Sequence, residues 1–285
     1  SDLLAAMIDF INESRTDHII TIEDPVEFVH KNKKCLVNQR EVHTHTDSFK
    51  RALRAALRED PDIVLVGEMR DLETVMIALE TAETGHLVFG TLHTTTSHGT
   101  VERLINQFPA DQQSQVRVGL AESLKGVIAQ TLCKKKAGGR VAALEILVFT
   151  TAIANLVREG KTHQIPGMIQ VGKKLGNCPL DDSIMDHLRM KRISPKDAFD
   201  KCLDKKKFFG FLTPAEQEQL AELRPRLVQL KQALGSGVLQ GDELRSIREQ
   251  APAVGQAIAK EMGVSVGELK KLGEEGKITT DVVLK

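Results

Sequence analysis

The sequence contains no tryptophan or tyrosine, no excess of either charge, no long apolar run and no paired-cysteine motif, and these absences remove several classes of protein at once. Thirty-nine basic residues balance thirty-nine acidic ones. No global field therefore draws the chain to nucleic acid or to an anionic membrane, although a local patch could bind either. No run of about 18 apolar residues exists to span a bilayer, and Asp2 beside a short apolar stretch is not a signal peptide. These features place the chain in the cytoplasm. Cys35, Cys133, Cys178 and Cys202 lack CxxC spacing, which argues against a zinc module and offers no disulfide framework. With 41% hydrophobic and 27% charged residues, wholesale disorder is excluded as well.

The residues that are scarce are also unevenly placed. All ten Phe lie between Phe10 and Phe211, every His at or before His187, and every Cys at or before Cys202. An abrupt change of composition of this kind predicts two unlike segments joined near residue 210.

The first segment alternates helix and strand signals in the manner of an α/β domain. Leu3 to Ile11 reads as a helix, and His18 to Ile22 as a short β-branched strand that stops at Glu23-Asp24-Pro25. Asp47-Ser48 caps a helix with Phe49, Leu53, Ala56 and Leu57 on one face, ended by Pro61. Ile63-Val-Leu-Val66 suits a strand buried on both faces. Leu72, Val75, Met76 and Leu79 mark a helix closed by Gly85, and Leu87 to Leu92 reads as another buried strand. Strand, helix, strand with short links predicts a parallel sheet. Residues 111 to 132 read as a longer amphipathic helix through Val116, Leu120, Leu124, Val127 and Ile128. Val141 to Val148 supplies one or two further strands, and 151 to 207 turns helical. Thr213-Pro214 opens a new helix.

Three clusters of acids and histidines sit at predicted strand ends, where open α/β sheets place ligands. Glu23, Asp24 and Glu27 follow the first strand, where a carboxylate could position a metal-bound phosphate or orient a water as general base. A solvated acidic turn is the alternative. Asp62-Ile-Val-Leu-Val-Gly-Glu68 is an apolar strand ending in an acid, as in a Walker B strand, with Gly67 where many NTPases have Asp, so the carboxylate duty falls on Glu68. Met69-Arg70-Asp71 continues the motif and caps the next helix. His86 and His93 bracket the last strand. Strand geometry separates them by roughly 20 Å, which disfavours joint metal binding, whereas His93 and Thr94 could donate to a phosphate at the strand's end.

Ile20-Thr-Ile-Glu-Asp-Pro-Val-Glu-Phe28, Val66-Gly-Glu-Met-Arg-Asp71 and Thr84-Gly-His-Leu-Val-Phe-Gly-Thr-Leu-His-Thr94 resemble, in order, the Asp box, Walker B and His box of the secretion ATPase superfamily. The linking text Cys35-Leu-Val-Asn-Gln-Arg-Glu-Val42 and Ala55-Ala-Leu-Arg-Glu-Asp-Pro-Asp62 is similar to the pilus retraction branch, and the match runs from residue 1 to about 207. The resemblance implies a RecA-like P-loop NTPase core that binds ATP with Mg²⁺ and works as a homo-hexamer on an inner-membrane pilus platform protein, at the cytoplasmic face and without nucleic acid. It implies that Glu27 is the catalytic base and Glu68 the Walker B acid. His86 and His93 become the pair that senses the γ-phosphate and contributes to the ring interface, with Glu23, Asp24, Arg70 and Thr94 around the nucleotide. Gln130 to Arg140 passes into Val141 without the four-cysteine module of assembly and secretion ATPases, which favours retraction. Ala152-Ile-Ala-Asn-Leu-Val-Arg-Glu159 resembles that branch's AIRNLIRE motif, with Ala154 in place of Arg.

A P-loop enzyme needs GxxxxGK[ST], whose backbone N–H groups and lysine hold the phosphates, and the sequence contains none. Aligned on Leu4-Ala-Ala-Met-Ile-Asp9, the chain begins at the hydroxyl residue that closes the family's Walker A, which makes Ser1 the expected Mg²⁺ ligand. The glycine loop, its strand and a PAS-like domain are then expected upstream. The expectation is a fragment that, as given, binds ATP weakly or not at all. The organisation expected is an ATPase core over 1–165, its helical C-terminal part over 166–207, a junction at 208–214, and an α-helical segment over 215–285. That last segment resembles the conserved part of phage tail tape measure proteins and has no catalytic candidate. Within it, Ser265 and Glu268 form a capping box. The competing reading is a structural phage tail protein, or a mosaic reading frame, in which the ATPase-like part is a passenger.

Overall fold

The computed structural model describes residues 2–221 and the backbone of Val238–Leu239 and Ile278–Thr279, two short strands that pair antiparallel. The chain divides into two compact units, Ser1–Asp204 and Lys205–Lys285. Ser1 and the tail's Ser265–Glu268 capping box lie outside the described residues.

The first unit begins with α1 (Asp2–Ser14), β1 (His18–Glu23), β2 (Leu36–Glu41), α2 (Phe49–Ala56), β3 (Ile63–Val66), α3 (Leu72–Glu83) and β4 (Leu87–Gly90). The four strands form a fully parallel sheet in the order β2-β1-β3-β4, so the parallel sheet expected from the strand-helix-strand pattern is present. Its two faces explain the unbroken apolar run of β3. Ile63 and Leu65 pack with Ile19 and with Ile8 of α1 on one side, while Val64 and Val66 pack with Ile22, Leu53 of α2 and Ile77 of α3 on the other. Successive side chains of a strand point to opposite faces, so a strand covered on both sides must be apolar at every position.

The helix boundaries follow from local chemistry. The Ser48 side chain caps α2 by accepting from the Arg51 N–H, and the helix tightens into a 3₁₀ turn at Leu57–Glu59 before Pro61. Asp71 caps α3, which ends at Glu83 with Gly85 at φ +103°, a left-handed position suited to glycine. The buried face of α3 is rotated from the expected one. Thr74, Val75, Ile77, Ala78 and Thr81 are buried, whereas Leu72 and Met76 are exposed.

Two expectations are corrected. The strand of the third cluster is not buried: β4 is the sheet's edge, with Leu87 36% exposed, because no described strand pairs along its outer side. Apolar residues in a strand reveal that a face is covered, not that both edges are paired. The helix read over 111 to 132, which follows α4 (Ser97–Asn106), is instead α5 (Gln113–Ser123) and then β5 (Gly126–Lys134), which pairs antiparallel with β6 (Arg140–Val148). Val116, Leu120 and Val127 satisfy helical spacing, but Val127, Ala129 and Cys133 also satisfy a strand's alternation and are the buried positions of β5. The cross-strand ladder with β6 decides between the two. β2, with only Leu36 and Val37 apolar, carried too little pattern to be read as a strand.

A second cluster joins Val101, Leu104 and Phe108 to Leu120, Val127 and Leu147, and to Ile153 and Val157 of α6 (Thr151–Arg158) and Ile165 of α7 (Ile165–Val171). Helices α8 (Leu180–Arg189) and α9 (Pro195–Lys201) complete this unit, in keeping with the helical pattern expected there. In the second unit, α10 (Lys205–Phe209) precedes a helix that begins at Pro214. The Thr213 hydroxyl accepts from the Glu216 N–H at 3.3 Å, and the Glu216 carboxylate accepts from the Thr213 N–H at 2.9 Å, a reciprocal capping box.

Candidate functional site

The C-terminal ends of the sheet's parallel strands lie on one side, and several of the expected site residues gather there. Glu23 closes β1, Glu68 follows β3 after Gly67, and His93 follows β4 after two residues. Gly67 is what lets β3 end so close to β1. Its N–H donates to the Ile22 carbonyl at 2.7 Å, and a Cβ there would stand 3.0 Å from that carbonyl oxygen and 3.2 Å from Glu23 Cα. This close approach accounts for glycine at the position where many NTPases carry Asp.

Glu68 is the centre of the cluster. Its Oε1 contacts His93 Nε2 at 2.7 Å and pairs with the Arg70 guanidinium, with the carboxylate side chain only 18% exposed. The Arg70 hydrogen bond, against an opposing cost of burial and with further help from His93, holds the Glu68 carboxyl below its ordinary range. Arg70 is raised in turn by the same contact. The loop carrying His93 is fixed at several points: Met69 N–H donates to Thr91 O, the Thr91 hydroxyl to Gly67 O, and Arg103 to His93 O. Thr94 and Thr100 hydroxyls meet at 2.7 Å. The buried Glu145 of β6 accepts from Ser97 N–H at 2.7 Å, tying the start of α4 to the hairpin.

Glu27 and Asp24 are exposed on the loop after β1. That loop is held by two residues of β2 that motif reading passed over. Glu41 accepts from the Val26 N–H at 2.9 Å, and Gln39 both accepts from His30 N–H at 2.7 Å and donates to Phe28 O at 2.8 Å. The Val26 N–H and then the Thr44 hydroxyl hold Glu41 below the usual carboxylate range. Their signal in the sequence was a pair of polar residues two apart, which share one face of a strand. Glu23 is engaged by the Thr21 hydroxyl at 2.7 Å and by Gln39.

His86 does not join this cluster. It lies at the opposite, N-terminal end of β4, with Nδ1 3.0 Å from Thr81 O and 3.1 Å from the Thr84 hydroxyl at the end of α3. A strand carries its two flanking residues to opposite ends of its own length, so bracketing β4 separates the histidines. Both nevertheless line one cleft of about 1590 Å³, together with Glu23, Asp24, Glu27, Glu68 and Thr94. The cleft runs along the free edge of β4 and is bounded by residues of β5 and β6, including Gly126, Ile128 and Ile146.

An ionised carboxylate at the end of a buried strand, flanked by an exposed guanidinium and an imidazole, matches the needs of phosphate chemistry: an acceptor for a cation or water, and donors for phosphoryl oxygens. The family model for type II/IV secretion system proteins matches residues 1–174, which contain every one of these residues. The chain belongs to this family. It is 56% identical over 202 residues to the type IV pilus retraction ATPase PilT of Pseudomonas aeruginosa, covering 71% of this chain and 59% of that one. It is 54% identical over 199 residues to a twitching motility protein of Neisseria gonorrhoeae, covering 70% and 53%. Among solved structures, the pilus retraction motor PilT with bound ADP superposes with a TM-score of 0.67 at 50% identity, covering 72% of this chain and 58% of that one. The chain thus spans a little over half the length of these relatives. The parallel sheet and its helices are the RecA-like fold of that motor. A second family model, for tape measure proteins, matches residues 217–285.

Proposed function

We propose that residues 1–207 form the catalytic portion of an ATP-hydrolysing hexameric motor that drives type IV pilus retraction, with a core over 1–165 and its helical continuation over 166–207. The observation that carries this reading is the Glu68–His93 contact at the ends of adjacent parallel strands, in a chain more than half identical to PilT over 202 residues. The tape-measure-like segment over 215–285 is treated as an attached module, and a purely structural role for the whole chain is not favoured.

The residues present suit a magnesium nucleotide. Mg²⁺ is ordinarily held by one or two carboxylates together with phosphate oxygens and water, so a cleft with Glu68 and the acidic loop needs no complete protein cage. Bound Mg²⁺-ATP would supply the phosphoanhydride that water attacks. In this reading Glu27 takes the water's proton as general base, and Glu68, kept ionised by Arg70 and His93, holds the metal's side of the site. His93 and Thr94 sense the transferred phosphoryl group, Glu23 and Asp24 line the nucleotide's approach, and Ser1 is a metal ligand. His86, at the far end of β4, serves the ring interface. The free edge of β4 offers a parallel pairing site for a further strand of the relatives' remaining length. Among the described residues no helix is long and apolar enough to cross a membrane. In this reading the motor works at the cytoplasmic face of the inner membrane through a platform partner.

The test joins the upstream portion of Pseudomonas PilT to this chain and measures steady-state ATP hydrolysis. Glu27→Ala and Glu68→Gln are each expected to lower kcat by about 10² to 10⁴-fold. Unchanged turnover in both variants would overturn the assignment.

A further inference from the structure

The balanced total charge conceals a local imbalance far from the catalytic cleft. The β5–β6 hairpin ends in Lys134, Lys135, Lys136 and Arg140, all exposed, with Lys134 and Arg140 directly opposite one another across the ladder. The turn is closed by the Lys135 N–H donating to Gly139 O at 3.0 Å. The segment between α8 and α9 is laid against it: Lys135 bridges Ile193, and the Lys136 N–H donates to Arg192 O at 2.9 Å. That segment adds Lys191 and Arg192, also exposed.

Six cations from two distant parts of the chain therefore share one surface. None of them has an ion-pair partner among the described residues. The Asp197 carboxylate accepts from the Lys134 backbone N–H at 2.8 Å. Like charges placed opposite each other on a hairpin destabilise it unless an outside anion relieves them. At the start of this segment stands Met190, 61% exposed and followed directly by Lys191 at φ +56°, a left-handed conformation unusual for a side chain of that size.

We propose that this surface docks the chain directly on an anionic lipid bilayer. The charge is mostly lysine, a flexible point charge suited to a diffuse layer of headgroups rather than to a shaped bidentate contact. The neighbouring apolar Met190 can enter the headgroup region while the cations stay at its level. No aromatic residue lies in the hairpin turn or in the 190–193 segment to stack on a base, which sets the patch apart from a single-strand nucleic-acid platform. The proposal does not rest on the ATPase reading.

The test uses the full chain with phosphatidylcholine vesicles, with and without phosphatidylglycerol, read by co-sedimentation. Binding is expected only to the anionic vesicles and is expected to vanish near 1 M salt, where the screening length is about 3 Å. Lys134→Gln, Lys136→Gln and Arg192→Gln together should weaken partitioning about 100-fold, roughly fivefold for each cation removed. The same net change made at Lys31, Lys34 and Lys174 should leave it nearly intact. Because the sequence has no tryptophan, Met190→Trp provides a single reporter whose emission should shift to the blue on binding. Equal losses in the two triple variants, an unshifted tryptophan in vesicle-bound protein, or preference for an oligonucleotide over the vesicles would each overturn the proposal.

Discussion

Replacing Gly67 with alanine sets two effects of opposite sign against each other. Removing a glycine from a compatible backbone stabilises a protein by about 0.4 to 1 kcal/mol, because the unfolded chain loses freedom. Gly67 is not in a left-handed conformation, so that gain is available in principle. Against it stands the new Cβ, 3.0 Å from Ile22 O and 3.2 Å from Glu23 Cα, both backbone atoms of the central strand β1. Backbone cannot rotate away as a side chain can, so β3 must shift, stretching the 2.7 Å hydrogen bond from Gly67 N–H to Ile22 O. Overpacking of this kind costs about 1 to 3 kcal/mol, and the clash wins by about 1 to 2 kcal/mol. For a unit of this size, each kcal/mol moves the midpoint by about 2 to 4 °C, so Gly67→Ala should melt about 2 to 8 °C lower by circular dichroism. Gly167→Ala is the control. Its new Cβ meets nothing within 4 Å on the exposed side of α7, so the entropic gain should appear alone as a rise of about 1 to 4 °C. If the two variants melt alike, the close approach of β1 and β3 does not constrain residue 67, and the explanation for its glycine fails.

Two further perturbations probe the supports of the site. Asp71→Ala removes the cap of α3 and leaves the hydroxyl of fully buried Thr74, now 2.7 Å from the carboxylate, without its acceptor. The two losses sum to about 2 to 3 kcal/mol, a fall of about 5 to 10 °C in thermal melting at neutral pH. Burial alone would raise the Asp71 carboxyl, but the Thr74 N–H and hydroxyl outweigh it and hold it low. Its contribution is therefore complete above the unfolded value of about 3.9 and is lost as pH falls through the lower folded value, so wild type and variant should converge only in strong acid. A gap that closes near neutrality would contradict this. Glu41→Ala should raise hydrogen exchange at the Val26 amide. Because Glu41 is likewise held low, exchange in the wild type, corrected for its intrinsic pH dependence, should rise only below the ordinary carboxylate range. Unaltered exchange in the variant would show that the loop bearing Glu27 is anchored elsewhere.

The sequence by itself determined the elements whose signals are local. Ser48 and Asp71 announced their helices because a capping side chain acts on N–H groups two or three residues away, and Ile63 to Val66 announced a doubly covered strand because both of its faces are apolar. It also pointed to the acids and to His93 that the fold brings together at the strand ends, since these occur in motifs of contiguous residues. Tertiary structure alone decided what depends on partners distant in the chain. The ladder between β5 and β6 turned Val127 and Ile128 from the end of a helix into a strand, β4 proved to be the edge of the sheet among the described residues because strand order is not written in any one strand, and His86 was carried away from His93 by the length of β4. Gln39 and Glu41 gained their part by facing a loop that precedes them by about a dozen residues. The six cations of the hairpin and the 190–193 segment form one surface only because folding lays Lys136 against Arg192. Charge is counted along a chain, but it acts through space.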